Sequence, residues 1–162
     1  MHICKVISKR SKDPNTQNGA CIVNPDNIII GLGYNGFPRG CSDDQLPWAR
    51  EGEFVEKKYA YVVHAEENAI LNANADTKGS KLYCTLFPCN ECAKVTIQRG
   101  IKEIIYESDK YHDDPIWEAS RRLLDLAGVE YRQYDPEHDL KFEKKEKPEA
   151  ETEIETIEMM AK

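Results

Sequence analysis

From residue 64 onward the chain alternates three times between a segment patterned as a helix and one patterned as a strand. This alternation restricts the fold more than any other feature of the sequence. Residues 64–75, 90–99 and 115–127 read as helices, and residues 82–86, 101–106 and 129–134 as strands. Gly100 and Gly128 follow the second and third helices, at the position where a left-handed residue ends a helix. Strands that alternate with helices call for parallel pairing, each helix crossing over the sheet.

The first part of the chain has another rhythm. Ile3, Val6 and Ile7 recur at helical spacing within residues 3–11, and Asp13-Pro14-Asn15 stops the helix. Residues 20–23 and 28–30 are β-rich runs on either side of Asn24-Pro25-Asp26-Asn27, which reads as a hairpin turn. Together these elements predict an α/β fold: a three-layer α/β/α sandwich around a mixed five-stranded sheet whose second half is parallel. Residues 35–61 form a Gly- and Pro-punctuated stretch too long for a compact domain to carry without a use. We expect one domain over residues 1–140 and a charged tail over 141–162. From residue 144 the tail is rich in Glu and Lys, with too few apolar residues to order itself.

Composition narrows the function. A chain of 162 residues with 40% hydrophobic content can build a core without disulfides. The first eight residues are too short and polar for a signal peptide, and no apolar run reaches membrane-spanning length, so a cytoplasmic protein is expected. Its six cysteines then read as reduced thiols or metal ligands. Ten acidic and five basic residues between 135 and 162 carry five of the seven net negative charges. Neither part has the basic excess that a polynucleotide partner demands, which leaves a single nucleotide as the acceptable nucleic-acid ligand.

Two short motifs carry chemistry: His64-Ala65-Glu66 and Pro88-Cys89-Asn90-Glu91-Cys92. The two-residue gap lets both sulfurs of Cys89 and Cys92 reach one ion, and His64 supplies a third ligand from another helix start. Three protein ligands leave a fourth tetrahedral position for water, the arrangement of a catalytic zinc site. Both motifs fall at predicted helix N-termini, where the helix dipole favours thiolate. Zinc lowers the pKa of a bound water to roughly 7, and Glu66 is the candidate that moves the protons. Cys4, Cys21 and Cys84 read as small core residues. Cys41 sits in the long loop with no histidine beside it.

With these motifs the sequence resembles the deoxycytidylate (dCMP) deaminases, within the cytidine deaminase-like superfamily. The likeness runs from about residue 8 to 134. The zinc motifs identify the superfamily; Gly33-Tyr34-Asn35-Gly36-Phe37-Pro38 and Gly40-Cys41-Ser42-Asp43-Asp44 point to the dCMP branch, with Arg10-Ser11-Lys12-Asp13-Pro14-Asn15 and Ser108-Asp109-Lys110-Tyr111-His112 in support. Asn18 departs from the pattern, standing where an apolar residue is usual. The resemblance implies Zn2+ on His64, Cys89 and Cys92, Glu66 as proton shuttle, and hydrolysis of dCMP to dUMP, which supplies thymidylate synthesis. It implies that the Ala65 backbone amide binds the pyrimidine carbonyl. Asn35 reads either as a contact to sugar or base or as a turn residue before Gly36. Arg10, Lys12 and Lys110 read either as phosphate donors or as solvated charges. By resemblance the protein is a homo-oligomer, a hexamer in many relatives, activated by dCTP and inhibited by dTTP with Mg2+ assisting. A dCTP or dual dCMP/dCTP deaminase is the nearest alternative. A nucleoside deaminase would need no phosphate site, a polynucleotide deaminase would want a basic channel, and a non-enzymatic zinc module would want a fourth protein ligand.

Overall fold

The structure is a computed structural model that describes residues 1–135, 137–138, 140 and 142–143. The Glu/Lys-rich stretch over 144–162, expected to be disordered, lies outside the described residues. In chain order the elements are α1 (His2–Ser8), β1 (Gly19–Val23), β2 (Ile29–Tyr34), two 3-10 turns (Phe54–Glu56 and Lys58–Ala60), α2 (Ala65–Leu71), β3 (Lys81–Leu86), α3 (Asn90–Gln98), β4 (Glu103–Ser108), α4 (Pro115–Ala127) and β5 (Glu130–Gln133).

The five strands form one sheet in the order β2-β1-β3-β4-β5. β1 runs antiparallel to both β2 and β3, while β3, β4 and β5 are parallel. The hairpin between β1 and β2 turns where expected. The Asn24 side-chain oxygen accepts the N–H groups of Asp26 (3.1 Å) and Ile28 (2.8 Å), and Asn27 takes φ 62°.

Register decides which side chains share a face. Ile22 pairs with Leu82 and Leu82 with Ile104, while Ala20 pairs with Cys84. All five are fully buried and meet Ala65 and Ala69 of α2, Ala93 of α3 and Leu124 of α4 in one core. The other face carries Cys21, Tyr83 and Ile105 in register, and α1 lies over it with the Cys4 thiol 3.4 Å from the Tyr83 carbonyl. The result is the expected three-layer sandwich.

Several boundaries differ from the sequence reading: α1 ends at Ser8, capped by Lys9, rather than at 11, and three others shift for a tertiary reason. β2 runs on to Tyr34, through Gly31 and Gly33, because α2 lies directly on it. A Cβ on Gly33 would stand 2.1 Å from the Ala65 carbonyl oxygen and 2.3 Å from the Ala69 nitrogen. α2 ends at Leu71 rather than near 75. The Asn72 side chain donates to the Leu32 carbonyl (3.1 Å) and the Asn74 N–H to the Ile30 carbonyl (2.9 Å), so the chain leaves the helix for the edge of β2. β4 starts two residues late because the Ile101 N–H closes onto Thr96 and the Lys102 N–H donates to Ser80.

α4 matches its predicted bounds. Asp114 caps it by accepting the Ile116 N–H at 2.8 Å, Pro115 opens it, and Gly128 at φ 65° closes it. No helix among the described residues is long and apolar enough to cross a membrane.

Candidate active site

Two helix starts bring the reactive residues together. Gly36 and Val63 form a small antiparallel bridge, with N–H to carbonyl distances of 3.1 and 2.9 Å, and His64 follows at once as the N-cap of α2. β3 delivers the second start. The Phe87 N–H donates to the Ser108 carbonyl at 2.8 Å, Pro88 follows, and Cys89 is the N-cap of α3. Because α2 and α3 rest on the same sheet face, the first turns of both point at one place.

At that place the His64 Nδ1 atom lies 3.4 Å from the Cys89 sulfur and 3.3 Å from the Cys92 sulfur. The three donor atoms all lie within 4.8 Å of one another. Tetrahedral bonds of about 2.3 Å to sulfur and about 2.0 Å to nitrogen set a sulfur–nitrogen separation of roughly 3.5 Å. The three side chains therefore fit zinc as they stand. The protonation pattern fits as well. The hydrogen bond from Cys92, helped by His64 and opposed by burial, pulls the Cys89 thiol down to about 4. The same bond pushes Cys92 well above the usual thiol range, and the hydrogen bond to Cys89 lifts His64 to about 9. A thiolate facing an imidazolium and a neutral thiol is a net-neutral cluster in which His64 and Cys92 must each release a proton to ligate a dication.

Glu66 sits in the first turn of α2, 5% exposed. Burial pushes its carboxyl up to about 7, opposed by the charge of His64. A carboxyl that titrates near neutrality can both take and give a proton there. The N–H of Ala65, first residue of α2, is one of the helix-start donors that have no acceptor within the helix. Ala65, Glu66, His64, Cys89 and Cys92 are thus brought together.

The remaining residues singled out in the sequence have their recorded side-chain contacts outside that group. Asn35 ends β2 with its side chain buried and engaged by three protein partners: the Asn18 N–H, the Thr16 carbonyl and the Asp13 carboxylate. Arg10 is exposed just beyond α1, its guanidinium carbon 5.7 Å from the Tyr34 ring centre. Lys12, also exposed, pairs with Asp43 at 2.8 Å. Lys110 is exposed between β4 and α4, 4.8 Å from the Tyr111 ring centre. Cys4, Cys21 and Cys84 are buried as expected and Cys41 is exposed. Asn18, the departure from the family pattern, places its side-chain oxygen 3.4 Å from the Thr85 hydroxyl, so its polarity is met.

The sequence reading missed the partners of Asn35. In the sequence Asp13 reads as a helix stop and as part of a supporting family motif, and Lys58 has no role, yet both side chains are buried and paired. The Asp-Pro-Asn spelling did hold one signal, since an aspartate before such a turn commonly accepts the backbone N–H groups that follow it.

Comparison with known proteins agrees with this geometry. Residues 1–108 match the family profile of the cytidine and deoxycytidylate deaminase zinc-binding region. The deoxycytidylate deaminase of Pongo abelii is 57% identical over 138 residues, covering 84% of this chain and 78% of that protein. The deoxycytidylate deaminase of Homo sapiens is 56% identical over 138 residues, with the same two coverages of 84% and 78%. Among solved structures, the dCMP deaminase of the cyanophage S-TIM5, in complex with dCMP and dUMP, superimposes with a TM-score of 0.67 at 27% identity, covering 82% of this chain and 92% of that one. The chain belongs to the cytidine and deoxycytidylate deaminase family.

Proposed function

We propose that this protein is a zinc-dependent hydrolase that converts dCMP and water to dUMP and ammonia. The observation that carries the reading is the buried carboxyl of Glu66 beside a converged His64, Cys89 and Cys92 donor set, in a chain 57% identical to a deoxycytidylate deaminase. Zinc held by the three side chains supplies activation of water near neutral pH. The protein's own groups do the rest. The Ala65 N–H fixes the pyrimidine carbonyl and so presents the amino-bearing carbon to the water. Glu66 accepts a proton from that water and passes it to the ring nitrogen; it then takes the proton of the hydroxyl added to that carbon and delivers it to the amino group, which leaves as ammonia while the carbonyl of dUMP forms. A single carboxyl can serve each of these transfers because its pKa of about 7 lies near neutrality.

Asn35 and the phosphate donors belong to the proposal as substrate contacts. Both Asn35 amide hydrogens are engaged by Asp13 and Thr16, so its remaining capacity is one lone pair on Oδ1, an acceptor for a nucleotide hydroxyl. Arg10, Lys12 and Lys110 are the candidate partners of the monophosphate, exposed and able to turn toward a dianion. Regulation by dCTP and dTTP with Mg2+, assembly into a homohexamer and a cytoplasmic location complete the reading by family likeness.

The test is kcat/KM for dCMP, dCTP, deoxycytidine and a single-stranded oligonucleotide on one zinc-loaded preparation. Preference for dCMP is the expected result. Equal turnover of deoxycytidine would remove the phosphate site and refute the nucleotide assignment. Turnover of dCTP as fast as dCMP would favour the dual-substrate alternative.

A further inference from the structure

We propose that the buried ion pair of Asp13 and Lys58 is a positioning device that sets nucleotide affinity by holding the Asn35 amide in one orientation. This role rests on the deaminase reading above. The Lys58 ammonium lies 2.5 Å from Asp13 Oδ2, with the two side chains 7% and 1% exposed. The pair joins the α1–β1 connection to the turn Lys58–Ala60, across 45 residues of sequence.

Its centre is the Asp13 carboxylate. Oδ2 accepts both the Lys58 ammonium and the Asn35 side-chain N–H, the latter at 3.2 Å. Oδ1 accepts the N–H groups of Asn15 (2.8 Å) and Thr16 (3.2 Å). Asn35 gives its other amide hydrogen to the Thr16 carbonyl at 3.0 Å, and its oxygen accepts the Asn18 N–H at 2.8 Å. An amide with both hydrogens bound to acceptors cannot flip without placing its oxygen against a carboxylate. Its one spare lone pair therefore keeps a fixed direction.

The network also abuts the metal site. Asn35 is followed by Gly36, whose bridge to Val63 stands one residue before His64. The Lys58 carbonyl accepts the N–H groups of Tyr61 (3.0 Å) and Val62 (2.9 Å), which steers the chain into that bridge. Lysine is rarely buried without a partner, and an apolar pair of similar volume is often at least as stable as a buried ion pair. Such an apolar pair could not hold an amide oriented, and the charged pair does.

The experiment uses full-length protein and five variants: Asp13→Asn with Lys58→Met, which leaves no uncompensated charge; Lys58→Gln; Lys58→Arg; Asn35→Ala; and the triple combination of Asp13→Asn, Lys58→Met and Asn35→Ala. Each is measured for zinc per chain, thermal midpoint, kcat and KM for dCMP. The neutral double variant should keep its zinc and hold kcat within about threefold while KM rises roughly 10–10²-fold, the scale of a small misplacement of a binding group. Lys58→Arg should keep KM near the parent value. The triple variant should be no worse than Asn35→Ala alone, because both act through one group. Lys58→Gln keeps a donor toward Asp13 without the charge. If the double variant does not fold, Lys58→Gln is read on the same axes, with the same rise in KM expected. An unchanged KM in the neutral or Gln variant, or a triple variant whose rise is the product of the separate rises, overturns the proposal. So does a loss of zinc and kcat at constant KM. Absence of dCMP turnover in the parent protein would instead refute the deaminase reading itself and the pair's role with it.

Discussion

Gly33→Ala separates two effects of opposite sign. Gly33 is a strand residue whose backbone torsion is ordinary for any amino acid, since it is not among the positive-φ positions. Alanine there should on chain entropy alone stabilise the protein by about 0.4–1 kcal/mol. The added methyl, however, would stand 2.1 Å from the Ala65 carbonyl oxygen, 2.3 Å from the Ala69 nitrogen and 2.8 Å from the Asn68 carbonyl carbon. Ordinary contact needs roughly 3.5 Å, so α2 must move off the sheet by about 1 Å or more. All three obstacles are backbone atoms of a packed helix, which cannot swing aside. Overpacking of this kind costs about 1–3 kcal/mol and here lies at the upper end, so the net loss should be roughly 1–2 kcal/mol. For a domain of this size that lowers Tm by roughly 3–8 °C. The same shift moves His64 and Glu66 relative to Cys89 and Cys92, since only the first pair rides on α2. A misplacement of about 1 Å costs up to roughly 10²-fold in rate. Calorimetry with zinc analysis and dCMP turnover checks both arms. A variant as stable and as active as the parent would refute the claim that bare backbone contact at Gly33 seats the helix.

Other outcomes follow from single groups. Cys89→Ala should lose zinc and activity together by metal analysis and turnover, since two donors cannot hold the ion that three fit. Glu66→Gln should keep its zinc and lose roughly 10²–10⁴-fold in kcat, because a carboxamide cannot shuttle protons. Glu103 is held below the usual carboxylate range by its hydrogen bond to Lys81, with Arg132 assisting. Its stabilisation is therefore present above the ordinary carboxylate pKa and lost as pH falls through the lower folded value. Glu103→Gln should cost ~0.5 kcal/mol at pH 7, in the range of surface pairs, and that cost should vanish once pH has fallen below the lowered folded value, read by thermal melts across pH. Ending the chain after Glu143 should leave Tm and kcat unchanged; a large fall in Tm would show that the Glu/Lys-rich stretch packs on the domain.

The parts of the molecule legible in the sequence are those set by local pattern. The helix–strand alternation, the Gly100 and Gly128 stops and the bounds of α4 follow from periodicity and capping, and the structure keeps them. The converged His64, Cys89 and Cys92 set was legible because its spacing is itself the chemistry of a metal site. What escaped depends on contacts distant in sequence. Gly31 and Gly33 look like loop residues until α2 is laid against them, and only then do they become the middle of a strand. Lys58 has the composition of a surface residue, and nothing near it in the chain announces a carboxylate 45 positions earlier. Asn72 ends α2 because Leu32 offers a carbonyl, a fact of the folded sheet and not of the helix.

His64 and Cys89 occupy the N-cap positions of α2 and α3, and neither offers a capping side-chain oxygen to the backbone N–H groups of its helix. A serine or aspartate in such a place contributes about 1 kcal/mol to its helix, as Asp114 does for α4. Both helices forgo that contribution so that their first side chains can turn toward each other. The stability missing at the helix starts is returned when zinc ties the two ends, by an amount that grows with the logarithm of free metal over its dissociation constant. Metal supply is then expected to set the resistance of the two helix starts to cleavage as well as the rate, so limited proteolysis should be faster in the presence of a chelator than with zinc.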